Sequence, residues 1–106
     1  YASLLWLFGQ YLADINRKGE AIRYLEEGVE SFEAMRITDK EYYQCLSKLG
    51  SVYLDYFEEN PIELKKYLLL SRDINEKLQN SFRKLGDSKN FATLLRQRLE
   101  KYNKFD

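Results

Sequence analysis

With 106 residues, 17 lysines and arginines and 17 aspartates and glutamates, the chain carries no formal net charge. That length supports one domain with a modest core rather than two. The charge balance supplies no long-range pull toward nucleic acid or an anionic membrane, so neither is an expected partner.

There is no histidine and a single cysteine, Cys45. The commonest general base and the commonest zinc ligand are therefore missing, and an internal disulfide is impossible. Without a histidine to activate it, Cys45 is a poor nucleophile. An enzyme is the least favoured class, no cofactor or metal is expected, and a reducing, cytoplasmic location is. No apolar run approaches the ~18 residues of a membrane span. The sequence begins at Tyr1 rather than Met and reads as an excerpt of a longer protein. The cluster Leu4, Leu5, Trp6, Leu7, Phe8 is too apolar for a bare surface. A neighbouring repeat, an upstream helix or a partner is expected to cover it.

In chain order, the first helix is predicted over about Ala2–Arg17. Leu5, Phe8, Leu12 and Ile15 recur at three- and four-residue spacing, with Leu4, Trp6 and Tyr11 broadening the face. Asn16-Arg17-Lys18-Gly19 reads as its stop, with Gly19 free to take positive φ. The second helix is predicted from about Glu20 to Met35. Its stripe is Ala21, Leu25, Gly28, Val29 and Phe32, and the short connection forces an antiparallel hairpin.

Thr38 or Asp39 can cap a third helix over about Lys40–Phe57. Its stripe is Tyr42, Leu46, Leu49, Tyr53 and Tyr56, with Tyr43, Cys45 and Val52 beside it. Asn60-Pro61-Ile62-Glu63 reads as an N-cap followed by proline at the first helical position, so the fourth helix is predicted from Pro61. Leu64, Tyr67, Leu68, Ser71, Ile74 and Leu78 form its stripe. It ends either near Gln79-Asn80 or, as preferred here, near Lys84, with Gly86-Asp87-Ser88 as the break. A last helix over about Ser88–Asn103 carries Phe91, Leu95, Leu99 and Tyr102 on its apolar face, and Arg96, Arg98 and Lys101 on its wet side. The nine tyrosines read as packing residues whose rings bury area while their hydroxyls stay polar.

Gly9 and Gly50 lie inside the first and third predicted helices, 41 positions apart. Glycine there costs roughly 1 kcal/mol against alanine, so a close helix approach is the expected reason for each. A recurrence of that length suggests stacked helix pairs.

Leu49-Gly50-Ser51-Val52-Tyr53 and Glu20-Ala21-Ile22-Arg23-Tyr24-Leu25-Glu26-Glu27-Gly28 together resemble the tetratricopeptide repeat family. The first matches that family's L-G-x-x-Y mark. The second matches its small residue, aromatic and later small residue. Phe8-Gly9 repeats the glycine with Phe for Leu and with Leu12 in the aromatic slot. In the second copy Leu64 stands where Ala is expected, and Ser71 takes the later small position. The resemblance covers about residues 2–78 and implies an all-α fold of antiparallel hairpins stacked as a short right-handed solenoid of about five helices. It gives a single domain over 1–106, with repeat one at about 2–37 and repeat two at about 39–80. A terminal helix at about 88–104 either caps the stack or opens a third repeat.

The resemblance also implies a concave groove lined by the first helix of each hairpin. The positions it places there are Ser3, Trp6, Gln10, Ala13 and Asp14, then Gln44, Ser47, Ser51, Leu54 and Asp55. Most are small or polar, so an extended segment can approach and hydrogen-bond. Trp6 is either an apolar anchor or a core residue. Asp14 and Asp55 make the groove mildly acidic, favouring a basic or neutral segment, or else they are solvated helix residues. The carboxylate clamp of some family members needs cations at the places of Trp6, Gln10, Ser47 and Ser51, and none stands there.

The resulting expectation is a non-catalytic protein–protein interaction module holding a peptide or partner helix. A peptide-sensing regulatory domain of a larger regulator, and a purely structural repeat segment, are the alternatives.

Overall fold

The computed structural model describes residues 1–104. Five α-helices follow one another: α1 (Ala2–Asp14), α2 (Lys18–Ala34), α3 (Lys40–Glu59), α4 (Lys65–Asn80) and α5 (Lys89–Glu100). Two single 3-10 turns, Phe82–Lys84 and Gly86–Ser88, join α4 to α5. No strand occurs among the described residues. The fold is all-helical and repeat-like: α1 pairs with α2, α3 with α4, α3 packs back onto α2, and α5 closes the stack against α3 and α4.

The connections obey local chemistry, with some reassignments. α1 ends at Asp14, three residues before the predicted stop. Asn16, not Gly19, takes the left-handed conformation, at φ 64°. The Asn16 N–H donates to Ala13 O at 3.0 Å and the Arg17 N–H to Leu12 O at 2.9 Å. This is the Schellman pairing that satisfies the last carbonyls of a helix. Asparagine tolerates that backbone through its short polar side chain. Gly19 is then left inside α2. The same pairing ends α2: Arg36 sits at φ 57°, and the Arg36 and Ile37 N–H groups donate to Glu33 O and Phe32 O. Asp39 caps α3, its Oδ1 accepting from the Glu41 and Tyr42 N–H groups at 3.1 and 3.3 Å.

The Asn60 turn forms as its chemistry suggests, with Asn60 Oδ1 accepting from the Glu63 N–H. Residues 61–64 nevertheless stay in the turn, and α4 starts at Lys65 rather than Pro61. α4 ends at Asn80, so the preferred end near Lys84 is not adopted. Three residues of 3-10 turn intervene before Gly86, which takes φ 56°.

The glycines sit where helices touch. A methyl group at Gly9 would lie 2.7 Å from Leu25 Cγ. One at Gly50 would lie 2.8 Å from Leu95 Cδ2 and 2.9 Å from Ile74 Cγ2. These are sub-contact distances, so the absent side chain is what lets α2 approach α1, and α4 and α5 approach α3. Ser71 exploits the same closeness, its Oγ donating to Gly50 O at 2.9 Å in the core. Nine residues of α3 follow Gly50 and five of α1 follow Gly9, and the turn after α3 (60–64) is longer than that after α1 (15–17), so the extra length of the second hairpin is shared between α3 and its turn.

The core runs through all five helices and centres on α3, which buries Tyr42, Tyr43, Cys45, Leu46, Leu49, Val52, Tyr53, Leu54 and Phe57. Tyrosine hydroxyls at its edge reach carboxylates. Tyr42 OH donates to Glu33 at 2.6 Å, and Tyr53 OH donates to Glu26. Both phenols are pushed well above the usual tyrosine range, first by burial and then by the neighbouring carboxylate. Cys45 is fully buried and burial pushes its thiol up to about 12, leaving it protonated and out of reach of reagents at neutral pH.

The apolar residues of α1 divide differently from the predicted stripe. Ala2, Leu5, Gly9 and Leu12 face inward, whereas Leu4, Phe8, Tyr11 and Ile15 stay exposed. Phe91 likewise points out of α5 and is 60% exposed.

Candidate functional site

Three helices bring a groove together on one side of α3. Helical spacing puts Gln44, Ser47 and Ser51 on one face of α3, with Lys48 beside them, and puts Leu46, Leu49 and Tyr53 on the opposite face. α1 contributes Trp6, Leu7 and Gln10, and α5 contributes Phe91. The groove encloses about 580 Å³.

Its walls and floor differ in character. Leu7 and Phe91 are more than half exposed and form apolar lips. Trp6 is buried in the core, as one of the two readings of it had it, and the little surface it keeps lines the groove. Gln10, Gln44 and Ser51 are half-buried, and their amides and hydroxyl offer both donors and acceptors. At the floor, Ser47 is 3% exposed and its Oγ has no hydrogen-bond partner among the described residues. Leaving a buried hydroxyl unpaired costs about 1–3 kcal/mol, and this oxygen is covered at the floor, with less than 1 Å² accessible.

Five of the eight predicted site residues thus meet here: Trp6, Gln10, Gln44, Ser47 and Ser51. The other three do not line the groove. Leu54 is fully buried, because α3 is covered by neighbours on most of its circumference. Asp14 is exposed and accepts from Lys48 Nζ at 3.3 Å. Asp55 is taken by α5, its Oδ1 accepting from Arg98 Nη2 at 2.7 Å. The two carboxylates expected to make the groove acidic are therefore both paired to cations of the chain itself, and Lys48 is the charged residue in the lining.

Arg98 does more than stay wet. It also donates to Glu58 Oε1 at 2.7 Å, while Tyr102 OH donates to Glu58 Oε2 at 2.5 Å and Lys101 Nζ lies 3.2 Å from the same oxygen. Burial alone would raise the Glu58 carboxyl. The hydrogen bonds from Tyr102, Lys101 and Arg98 outweigh it and hold the group below its usual range. This cluster locks α5 onto the end of α3 and so fixes where Phe91 stands.

Sequence reasoning missed Leu7, Lys48 and Phe91. Leu7 was read only within the Leu4–Phe8 cluster awaiting a cover, and Phe91 as part of the apolar face of the last helix. Lys48, one residue from Ser47, was legible from its place on the same face.

A second cleft, of about 670 Å³, opens on the opposite face of α3. Its floor is Leu46, Leu49, Tyr53 and Ile74, and its rim carries Glu26, Glu30, Glu33, Asp73 and Glu76 against Lys77. Glu26 and Glu33 are already occupied by the Tyr53 and Tyr42 hydroxyls. Among the described residues no group of three or more potential ligands is placed to hold a metal ion, and no helix is long and apolar enough to cross a membrane. Comparison with protein-family models, with curated proteins and with solved structures returns no match for this chain.

Proposed function

We propose that the chain is a non-catalytic interaction module. It binds an extended, uncharged stretch of another protein in the groove between α1, α3 and α5. The observation that carries this reading is the groove itself, in which Gln10, Gln44, Ser51 and Lys48 lie between the apolar lips of Leu7 and Phe91. A peptide group lying across Gln10, Gln44 and Ser51 finds both donors and acceptors, and an apolar side chain between Leu7, Trp6 and Phe91 loses its water. Tryptophan is among the residue types that dominate binding energy. The groove is pre-formed by core packing, so little ordering cost is paid on binding. The tetratricopeptide resemblance, in which first helices line a ligand groove, agrees with this placement. The pairing of Asp14 and Asp55 favours a neutral segment over a basic one.

The test is selection of a displayed peptide library on the wild-type chain, followed by affinity measurement on Gln10→Ala/Gln44→Ala. Both side chains are half-buried at the rim, so the double variant keeps its fold. Recovered segments should carry an apolar residue and lose on the order of tenfold or more in affinity, as expected when two hydrogen bonds of about 1 kcal/mol each are removed. Segments that bind the double variant equally well contradict the assignment.

A further inference from the structure

The outer face of α1 is a largely exposed apolar surface, touched within the chain where the Phe8 ring meets Tyr24 of α2 edge-on at 4.7 Å. Tyr1, Leu4, Phe8, Tyr11 and Ile15 follow one another at spacings of three and four, so they form one stripe along the helix. They are 81, 69, 46, 57 and 44% exposed. No charged residue occurs before Asp14, and Asp14 itself is paired with Lys48.

The internal repeat identifies this as a packing face. Advanced by the 41 residues that separate Gly9 from Gly50, the stripe becomes Tyr42, Cys45, Leu49, Val52 and Tyr56. The first four of these are buried, and they lie on the side of α3 that seats on α2: Cys45 Sγ approaches Gly28, and the Tyr42 ring packs edge-on to Phe32. The α1 stripe has the same spacing and similar apolar chemistry, but apart from the Phe8–Tyr24 edge contact it stays open.

We propose that a second copy of this chain covers it, through antiparallel pairing of α1 with α1 about a twofold axis near Phe8. The stripe is close to self-complementary under that operation. Leu4 of one copy meets Tyr11 of the other, Tyr1 meets Ile15, and Phe8 meets Phe8. Such pairing repeats every contact, as a twofold interface must. Charge does not oppose it: the stripe is uncharged, the chain is neutral overall, and the two helix dipoles run in opposite directions.

The area is sufficient. Three aromatic and two aliphatic side chains at these exposures offer apolar surface on the order of 500 Å² per copy. Flanking backbone and polar atoms bring this toward the ~800 Å² per partner of a standard interface. The pairing leaves the groove open, because Trp6 and Gln10 point to another side of α1. The inference therefore stands or falls separately from the proposed binding function.

Sedimentation equilibrium or light scattering on the wild-type chain, from about 1 to 500 μM, reads the mass directly. The expected result is a shift from 12.7 kDa toward twice that value within the range. Leu4→Glu places a carboxylate in the interface and should weaken association on the order of 100-fold. Tyr11→Lys should do the same. Each changes a side chain more than half exposed, and unchanged helicity, with melting matched at a concentration where the wild type is monomeric, certifies the fold. Leu4→Glu/Tyr11→Lys should restore the dimer, because antiparallel pairing sets Glu against Lys twice. A wild type monomeric across the range overturns the proposal, since the stripe then serves some other helix. So does a dimer indifferent to Leu4→Glu, or a double variant that stays monomeric.

Discussion

Replacing Gly50 with alanine tests the close approach of α4 and α5 to α3. In an isolated helix the change stabilises by roughly 1 kcal/mol. Here the new methyl would lie 2.9 Å from Ile74 Cγ2 and 2.8 Å from Leu95 Cδ2. Ile74 is β-branched and close to fixed at χ1 in a helix, so its methyl cannot turn away. Leu95 can rotate, but it is 1% exposed, so its movement must be taken up by a close-packed core. Overpacking of this kind costs about 1–3 kcal/mol. Net destabilisation for Gly50→Ala is therefore on the order of 1 kcal/mol, a fall in Tm of about 4–8 °C for a domain of this size. Gly50→Leu should be worse. Gly19→Ala is the internal control: its methyl would meet only the Tyr56 hydroxyl, at 3.7 Å, so the propensity gain survives and the variant should be more stable. Thermal and urea melts monitored by circular dichroism give both signs. A stabilised Gly50→Ala would refute the reasoning, since it would mean that α4 and α5 do not lean on α3 at that point.

Three further outcomes follow from the geometry. Asp39→Ala removes the side chain that accepts from two free N–H groups of α3 and should cost about 1 kcal/mol in urea unfolding, with Asp39→Asn largely preserving stability. Glu58 is held below the ordinary glutamate value of 4.5, so the stability it contributes is complete above that pH and is lost as pH falls through its lowered folded value. Glu58→Gln should flatten the acid limb of a stability–pH profile, and an unchanged limb would show that the Arg98–Glu58–Tyr102 cluster does not hold α5. Tyr42 and Tyr53 have folded values raised above 10.0, so their contribution is intact below pH 10 and declines as pH rises beyond it. Tyr42→Phe/Tyr53→Phe should reduce the alkaline loss of stability measured at matched temperature.

The helices, their order and most of the core were legible because the 3.6-residue period survives wherever one face is buried. The elements that slipped have local causes. Gly19 looked like a helix stop, but Asn16 reached the left-handed backbone first. Pro61 looked like the first helical residue, but the Asn60 turn runs on to Leu64 before α4 begins. The α1 stripe was misdivided because that helix is apolar on two sides, and period alone does not tell which side is covered.

Gln10, Gln44, Ser47 and Ser51 were placed on one side of α1 and α3 by the tetratricopeptide resemblance, and they line one groove. The groove was not readable at Phe91, whose place depends on how α5 docks. Asp55 failed as a groove residue for the same reason. Its partner Arg98 lies 43 positions away, and nothing local announces that pairing.

The central claim is that the face of α3 carrying Gln44, Ser47 and Ser51, rather than its opposite face, receives a partner segment. Titrating a selected segment into ¹⁵N-labelled protein tests it directly. Binding in the groove predicts shifts at the Gln10 and Gln44 side-chain amides, the Trp6 indole and the Ser47 and Ser51 backbone, with Asp73, Glu76 and Asn80 unmoved. Shifts confined to Asp73, Glu76, Asn80 and the neighbouring α2 carboxylates would place the site in the acidic cleft and contradict the account.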